Sequence, residues 1–326
     1  MGRNVHDLGN GLFAYIQEDG SWGWSNSGLI TSNGESLLVD TLFNGPLTRD
    51  MLAAYRRATP DAAHIATLVN THANGDHTFG NHVIKGARII GTTACRDEMN
   101  ERPAPAFATM MDNWRDAGEA GAFLHEVMGS RFDFSDVGHV TPDVLFDGFH
   151  ALDVGGLRVE LHEMGPAHTM GDAVVFVPEL KTVFTGDILF SGGHPILWAG
   201  PLDNWLKACD AILGWDVDVV VPGHGPVGDK AAVHQLRDYL AYVQDAATQR
   251  YEAGLGWAEA AWDIGMEAYD SWLDRERVVA NVANVYTTLS KGAVAPTRPE
   301  ILTMMCRYRG RMPSPDMACP ACGGAH

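Results

Sequence analysis

Strand-like and helix-like segments alternate along the chain and predict an α/β fold. Apolar runs of strand length, bounded by Gly, Asn and Pro turns, lie at residues 12–17, 27–31, 36–40, 65–69, 87–91, 157–163, 173–177, 182–185 and 217–221. Helical spacing of apolar residues recurs at 46–59, 229–251, 257–269 and 274–289. No internal repeat interrupts this order, so we expect β-sheets with helices packed against them.

The segment between about residues 92 and 140 differs from its surroundings. Its pattern is mostly helical and richer in Met, Ala and charge, and apolar side chains such as Phe107, Met110, Trp114 and Phe123 recur at rough helical intervals. We interpret it as a helical insertion that covers the core.

Residue types that bind metal ions follow four of the predicted strands, where a loop can aim several short side chains at one point. In chain order they are His72, Asn74, Asp76, His77, His168, Asp187 and His224. Imidazole combined with carboxylate suits zinc, iron or manganese. The sequence therefore predicts a metal site built from strand ends.

The motifs around these residues resemble those of the metallo-β-lactamase-fold superfamily, in the same order. They are His-x-Asn-x-Asp-His at 72–77, Gly-Pro-Ala-His at 165–168, Thr-Gly-Asp at 185–187 and Pro-Gly-His-Gly at 222–225. The resemblance covers roughly residues 10–245 and implies a four-layer αββα sandwich with metals in a cleft at one edge. We expect a catalytic domain at 1–250 that contains the insertion, a C-terminal helical extension at 251–300, and a tail at 301–326.

The resemblance also implies how the ligands divide and what they do. One Zn²⁺ ion would be held by His72, Asn74 and His168, a second by Asp76, His77 and His224, and Asp187 would bridge them. Two divalent ions about 3.5 to 4 Å apart can share a water and lower its pKa towards neutrality. The implied reaction is hydrolysis of an ester, thioester, lactone or amide by a metal-bound hydroxide, which Asp76 would orient while shuttling a proton.

Asn74 departs from the family pattern, because the superfamily usually has histidine at this position. An amide oxygen is a harder and weaker ligand than imidazole. Three interpretations stay open: two ions of unequal affinity, a single ion held by Asp76, His77 and His224, or a site too weak to function. Zn²⁺ is the expected ion, with Fe or Mn as alternatives.

Two other functions stay open beside hydrolysis. Iron in the site would favour a redox reaction with oxygen or a sulfur compound, although no flavodoxin-like segment with a flavin loop is evident in the sequence. A weakened site would instead favour a non-catalytic binding protein. Zinc in a colourless protein favours hydrolysis over the redox function.

Aromatic residues outside the periodic elements are candidates for substrate contacts. Trp22, Trp24 and Trp198 lie in expected loops, and His194 follows Asp187 closely enough to face the same cleft. Together with the Met-rich insertion, they predict a small substrate that is apolar or aromatic. For the tryptophans, capping of the core edge is the alternative role.

The tail holds a second group of metal-binding residue types, spaced as Cys-x12-Cys-x2-Cys-x3-His. Its members are Cys306, Cys319, Cys322 and His326. The Cys-Pro-Ala-Cys-Gly turn resembles a zinc knuckle, so an additional Zn²⁺ that stabilises the tail and takes no part in catalysis is predicted here. Only one such turn is present, and the alternative is a tail without metal.

The net charge of the protein excludes some classes of binding partner. Lys and Arg total 23 against 41 Asp and Glu, a formal net charge of -18. Such a chain repels phosphate backbones and anionic lipid, so we expect neither nucleic acid nor membrane as partner. Met1–Asn4 lacks the apolar core of a signal peptide, and the expected location is the cytoplasm. The sequence leaves open whether the chain forms a homo-oligomer.

Overall fold

Two β-sheets carry the apolar runs of the sequence. The computed structural model describes residues 4–17 and 19–310. The first sheet has the strand order β1 to β7: Val5–Gly9, Leu12–Tyr15, Ser27–Ser32, Glu35–Val39, Thr67–Val69, Arg88–Thr92 and Val144–Phe146. The second has the order β12-β11-β10-β9-β8, with β8 at Phe149–Val154, β9 at Leu157–Glu163, β10 at Ala173–Val177, β11 at Thr182–Phe184 and β12 at Val219–Val221.

Both sheets change from antiparallel to parallel pairing. In the first sheet, β1 to β4 form an antiparallel meander and β4 to β7 pair in parallel. Asn33 and Gly34 form the turn between β3 and β4, both with positive φ, which is the backbone that a two-residue hairpin requires. In the second sheet, only β11 and β12 are parallel. Parallel pairing brings the carboxyl ends of neighbouring strands to the same sheet edge.

The sheets pack face to face around an apolar core. Leu37, Val69 and Ile90 of the first sheet belong to one buried cluster with Val175 and Phe184 of the second. Gly28 of β3 faces the Phe184 ring so closely that a larger side chain would collide with it. The contact explains why a glycine interrupts an otherwise buried strand.

Helices cover the outer faces of both sheets and form the two outer layers. They are α1 Gly45–Ala58, α2 Gly75–Thr78, α3 Thr93–Glu101, α4 Ala104–Asp112, α5 Gly118–Leu124, α6 Leu202–Gly214, α7 Lys230–Glu252, α8 Trp257–Asp263, α9 Val278–Leu289 and α10 Arg298–Arg309. Helix α1 buries Met51, Leu52 and Tyr55 against the first sheet, as its spacing predicts. Among the described residues, no helix combines the length and apolar character that a bilayer crossing requires.

Several elements differ from the sequence prediction. Strands β1, β7 and β8 and helices α6 and α10 were not predicted, and the helix expected at 257–269 ends at Asp263. Helix α10 crosses residue 300, where the boundary between the helical extension and the tail was expected. The Glu300 carboxylate accepts a hydrogen bond from the Thr297 backbone N–H, 2.7 Å away, as in a capping box.

His194 joins a strand-end loop to the C-terminal helices. Its Nε2 donates to the Tyr269 carbonyl at 3.0 Å, so its Nδ1 accepts from the Tyr239 hydroxyl, also at 3.0 Å. Asn281 Nδ2 in turn donates to the Tyr239 oxygen at 3.2 Å. Burial lowers the pKa of His194 to about 3, well below its ordinary 6.5. The ring is therefore neutral in the folded protein.

We predict that His194 makes the folded protein sensitive to acid. As the pH falls through 6.5 the unfolded chain protonates this ring, whereas the folded chain keeps it neutral down to about pH 3. Stability is therefore lost on acidification, by about 2 kcal/mol between pH 7 and pH 5 for one such group. Urea unfolding of the protein and of His194→Gln at these pH values measures the difference in slope.

The exposed His234 provides the matched control, since His234→Gln leaves the buried chain of hydrogen bonds intact. We expect this control to keep the pH dependence of the unchanged protein. Parallel curves for the unchanged protein and His194→Gln would contradict the prediction, whatever the offset between them.

Candidate metal centre

Four histidines and two aspartates converge at the edge of the sandwich. They are His72 in the loop after β5, Asp76 and His77 on the short helix α2, His168 after β9, Asp187 after β11, and His224 after β12. All six were predicted as site residues from strand ends. The fold brings these separate loops together because β9, β11 and β12 run in the same direction in the second sheet and end at the edge of the sandwich where β5 of the first sheet also ends.

Asp187 lies at the centre of this group. Its carboxylate oxygens lie 3.7 Å from His72 Nε2, 3.1 Å from His77 Nε2, 3.3 Å from His168 Nε2 and 3.4 Å from His224 Nε2. Asp76 is placed to one side, with its Oδ2 3.3 Å from His224 Nε2. The four Nε2 atoms therefore point to one carboxylate.

The other ring nitrogen of each histidine is held from outside. Nδ1 of His72 lies 2.9 Å from Thr71 Oγ1, and Nδ1 of His77 lies 3.0 Å from Asp40 Oδ2. Nδ1 of His168 lies 2.6 Å from the Ile196 carbonyl, and Nδ1 of His224 lies 3.0 Å from the Gly20 carbonyl. A histidine that donates through Nδ1 presents the Nε2 lone pair. Such outer hydrogen bonds fix tautomer and ring orientation in metal ligands.

Asp40 supports two of these histidines and is absent from the predicted site. Its Oδ1 accepts from the Thr71 backbone N–H at 2.8 Å, and its Oδ2 accepts from the Thr71 hydroxyl at 2.7 Å and from His77. Because the Thr71 hydroxyl gives its proton to Asp40, its oxygen is free to accept from His72 Nδ1. Asp40 is the last residue of the predicted strand 36–40, and no motif in the sequence marks it for this role.

Burial and opposite charges set the protonation of the cluster. Burial lowers the pKa of His72, with a further contribution from His77, and burial also lowers the pKa of His168. Burial opposes charge on His224 too, but Asp187 and Asp76 raise its pKa to about 9. Likewise, burial raises the pKa of Asp76, but a hydrogen bond with His224 and the charges of His77 and His224 together lower it to about 2. Positive charge is therefore favoured around the aspartates.

Two buried atoms test whether a cation fits here. His72 Nε2 and Asp187 Oδ1 are buried and have no hydrogen-bond partner. In addition, His77 Nε2 and His224 Nε2 face each other at 3.5 Å. Unpaired buried polar atoms are costly, and a divalent ion would satisfy them. The donor set therefore fits a metal of the zinc type.

The geometry does not separate the ligands into two independent sets. Within the described residues, two triads have ligand atoms within 4.8 Å of one another, one formed by His72, His77 and Asp187 and the other by Asp76, His77 and His224. His77 belongs to both triads. The division of ligands that the resemblance implies stays a prediction.

Asn74 faces His168 in this arrangement. Its Nδ2 lies 2.7 Å from His168 Nε2, so the amide caps the lone pair that would otherwise face an ion. Asn74 is half-buried and immediately precedes helix α2. An amide can offer either its NH₂ or its oxygen, whereas histidine would offer a second imidazole lone pair.

A cavity of about 480 Å³ opens above the centre. Its floor includes Asn74, Asp76, His168, Asp187 and His224. Its wall is mostly apolar and includes Trp22, Phe43, Phe79, Phe107, Met110, Leu124, Phe190, Trp198 and Leu302. Helices α3, α4, α5 and α10, which we call the cover, supply much of this wall.

The structure distributes the predicted substrate residues unequally. Trp22 and Trp198 line the cavity, whereas Trp24 and His194 do not. Trp24 packs against Phe132, with ring centroids 4.5 Å apart, and His194 is bound among the C-terminal helices. A histidine shortly after Asp187 can point into the cavity or away from it, because contacts with helices distant in the sequence set the direction of that loop.

The cysteines fall into two groups, one in the tail with Cys306 and one formed by Cys95 and Cys209. Cys306 is buried in α10, whereas Cys319, Cys322 and His326 lie outside the described residues, so the tail zinc stays a prediction. Cys95 and Cys209 are buried free thiols.

Comparison with known proteins agrees with this geometry. A family model described as the metallo-beta-lactamase superfamily matches residues 20–224. The metallo-beta-lactamase type 2 of Bacillus sp. (strain 170) is 25% identical over 226 residues, which are 66% of this chain and 72% of that protein. The type 2 enzyme of Bacillus cereus is 23% identical over 66% of this chain and 73% of its own length.

Solved structures share the fold at lower identity. A sec-alkylsulfatase from Pseudomonas sp. superposes with a TM-score of 0.66 at 15% identity; the match covers 90% of this chain, which spans about half, 52%, of that protein. A metallo-beta-lactamase from Pontibacter korlensis superposes with a TM-score of 0.56 at 19% identity, over 73% of this chain and 98% of its own. The predictions of an αββα fold and of an enzyme with this fold are confirmed. The chain belongs to the metallo-beta-lactamase superfamily.

Proposed function

We propose that the protein is a metal-dependent hydrolase that cleaves a carbonyl compound, namely an ester, thioester, lactone or amide. The observation that carries this proposal is the convergence of four Nε2 atoms on Asp187 at the base of a largely apolar cavity. Such a floor is suited to binding a cation beside a substrate, and the wall is suited to excluding bulk water.

The residues that would hold metal are those of the predicted ligand set, with Zn²⁺ as the proposed ion. His77 lies nearest to Asp187, at 3.1 Å, and His72, His168 and His224 complete the ring around this carboxylate. When bound, a divalent ion acidifies water and polarises a carbonyl oxygen. Iron or manganese would use the same donors and is distinguished by metal analysis.

Asp76 is the proposed proton acceptor. It is half-buried, it lines the cavity, and its contact with His224 keeps its carboxylate ionised at neutral pH. From this position it can orient a water towards the substrate and take up its proton. His224 holds Asp76 on the other side, so proton movement would be confined to this pair.

The cavity wall supports a substrate with an apolar or aromatic body. Trp22, Phe43, Phe107 and Trp198 present rings to the cavity from loops and helices on several sides. Transfer of apolar surface into such a space contributes about 25 cal/mol per Å². We therefore propose that binding strength comes from this wall, while the floor selects the bond that is cleaved.

A second candidate is hydrolysis of a sulfate ester. The sec-alkylsulfatase match extends over 90% of this chain, against 73% for the Pontibacter korlensis enzyme, and a larger share of the chain therefore has a counterpart in that fold. An alkyl sulfate would also place an apolar body against the wall. A substrate panel that contains both classes decides between a carbonyl compound and a sulfate ester.

The expected cytoplasmic location also stays a prediction.

We predict that the purified protein hydrolyses members of a panel of apolar esters, thioesters, lactones and amides, and that a chelator abolishes this activity. Zn²⁺ added back should restore it. Asp187→Asn should lower kcat/KM by more than about 100-fold, because it weakens the carboxylate on which four histidines converge. Spectrophotometric assays with metal analysis measure both effects, and an alkyl sulfate is included in the panel.

The exposed Asp210, which forms an ion pair with Arg237 on the surface, gives the matched control Asp210→Asn. This variant should retain activity and metal. Activity that survives complete metal removal would refute the proposed function. Cleavage of the alkyl sulfate alone would replace it with the second candidate.

Replacing Asn74 by histidine is expected to strengthen metal binding. The amide that now caps His168 Nε2 would be exchanged for an imidazole lone pair beside Asp187, which is a better ligand for zinc. We expect Asn74→His to raise the number of ions bound per chain, or their affinity, in competition with a chromogenic chelator. Asn113→His, at an exposed asparagine, is the control. Two tightly held ions before and after the exchange would show that Asn74 does not weaken the site.

A further inference from the structure

Arg298 lies in the cavity wall at the start of helix α10. It is half-buried, and its guanidinium carbon lies 4.1 Å from the centroid of the Trp198 ring. Both residues line the cavity above the metal centre. A guanidinium stacked on an aromatic face keeps its N–H donors at the edge of the stack, where an oxyanion can reach them.

Within residues 4–17 and 19–310, no side chain pairs with this charge. Arg298 makes neither a salt bridge nor a hydrogen bond there, in contrast to the two other arginines of the cavity. Arg102 Nη1 lies 3.1 Å from Glu98 Oε1, and Arg277 Nη2 lies 2.9 Å from Asp274 Oδ2. Arg298 is thus the cavity arginine whose donors are uncommitted in the described chain.

The surroundings make this lack of a partner costly. Burial lowers the pKa of Arg298 to about 10, the nearby charge of Arg102 lowers it further, and the carboxylate of Glu98, which forms no ion pair with Arg298, raises it in part. The group still carries its charge at neutral pH. A guanidinium held partly out of water with no anion in direct contact gains strongly when one binds, because the interaction is less screened there than at the surface.

Arg298 and the metal centre share one space. The Trp198 backbone N–H donates to the His168 carbonyl at 3.0 Å, so the residue under the guanidinium is fixed to a residue of the centre. Apolar side chains, among them Phe107, Met110 and Leu302, complete the wall. A molecule that fills this cavity would meet a cation and an apolar surface as well as the floor.

We propose that Arg298 binds a carboxylate or a similar monoanionic group of an amphipathic substrate, distinct from the bond that is hydrolysed. The apolar body of the substrate would lie against the wall, and its anionic group would accept hydrogen bonds from the guanidinium. This inference rests on the proposed hydrolase function for the nature of the scissile bond. Anion binding itself requires no turnover and is tested separately.

The test compares three ligands with the same alkyl chain: octanoate, octane-1-sulfonate and octan-1-ol. Their affinities for the zinc-loaded full-length protein are measured by calorimetry and by the change in tryptophan fluorescence, to which Trp198 contributes. We expect octanoate to bind more tightly than octanol, and Arg298→Gln to weaken octanoate roughly tenfold or more while octanol changes little. Arg298→Lys should retain part of the preference.

Arg115 offers a matched control, because it also stacks on a tryptophan, 4.3 Å from the Trp114 centroid, but is exposed and outside the cavity. Arg115→Gln should leave all three affinities unchanged. Circular dichroism and thermal unfolding check that each variant is folded. The sulfonate shows whether the site prefers a carboxylate or accepts any monoanionic oxyanion.

Two results would overturn the proposal. Equal affinity for octanoate and octanol would show that no anion site exists, and octanoate binding that survives Arg298→Gln would place its carboxylate elsewhere, on the metal for example. A protein without hydrolytic activity that still shows the Arg298-dependent preference would refute the proposed function alone. An active hydrolase without this preference would refute the anion site alone.

Discussion

The structure depends on one buried carboxylate. Asp187 is almost inaccessible to water, and burying its charge is unfavourable unless cationic or hydrogen-bonding groups surround it. Four imidazoles surround it, each oriented by a hydrogen bond from behind, but Asp187 Oδ1 still has no hydrogen-bond partner, so a bound cation would complete this requirement. Gly223 passes so close to the Asp187 carboxylate that any side chain there would displace it. The strand ends of the two sheets supply the side chains around the Asp187 carboxylate, and the glycine beside it leaves the space that the carboxylate occupies.

The cover is tied to the centre by a second buried group of charges. Trp22 Nε1 donates to Glu276 Oε1 at 2.9 Å, and Arg309 Nη1 donates to the same oxygen at 2.8 Å. Ser21 Oγ donates to Asp274, which also pairs with Arg277. An early loop, the start of α9 and the end of α10 are therefore joined beside the cavity. The C-terminal helices belong to the binding space and are not an appendage of the sandwich.

Sequence patterns predicted what is local and missed what depends on distant segments. The alternating apolar residues of β9 and the continuous apolar run of β10 place both strands at the residues expected. The motifs identify six converging residues because each carries its own strand-end context. Helix α6 was missed although Leu202, Trp205, Cys209 and Ile212 follow helical spacing. Asp40 went unnoticed because one aspartate after a strand has no distinctive spacing. His194 turns away from the cavity and Arg298 turns towards it, and both directions are set by helices far away in the sequence.

The order of these segments along the chain has a consequence for biosynthesis. All six converging residues lie before residue 225, whereas Glu276, Arg298 and Arg309 follow them. On the ribosome, the ligand-bearing strand ends are therefore made before the residues that complete the upper wall. An ion that arrives during synthesis meets an open floor, while one that arrives afterwards has to pass the finished cavity. The residues that would hold metal and the residues that complete the upper wall thus enter the nascent chain at separate times.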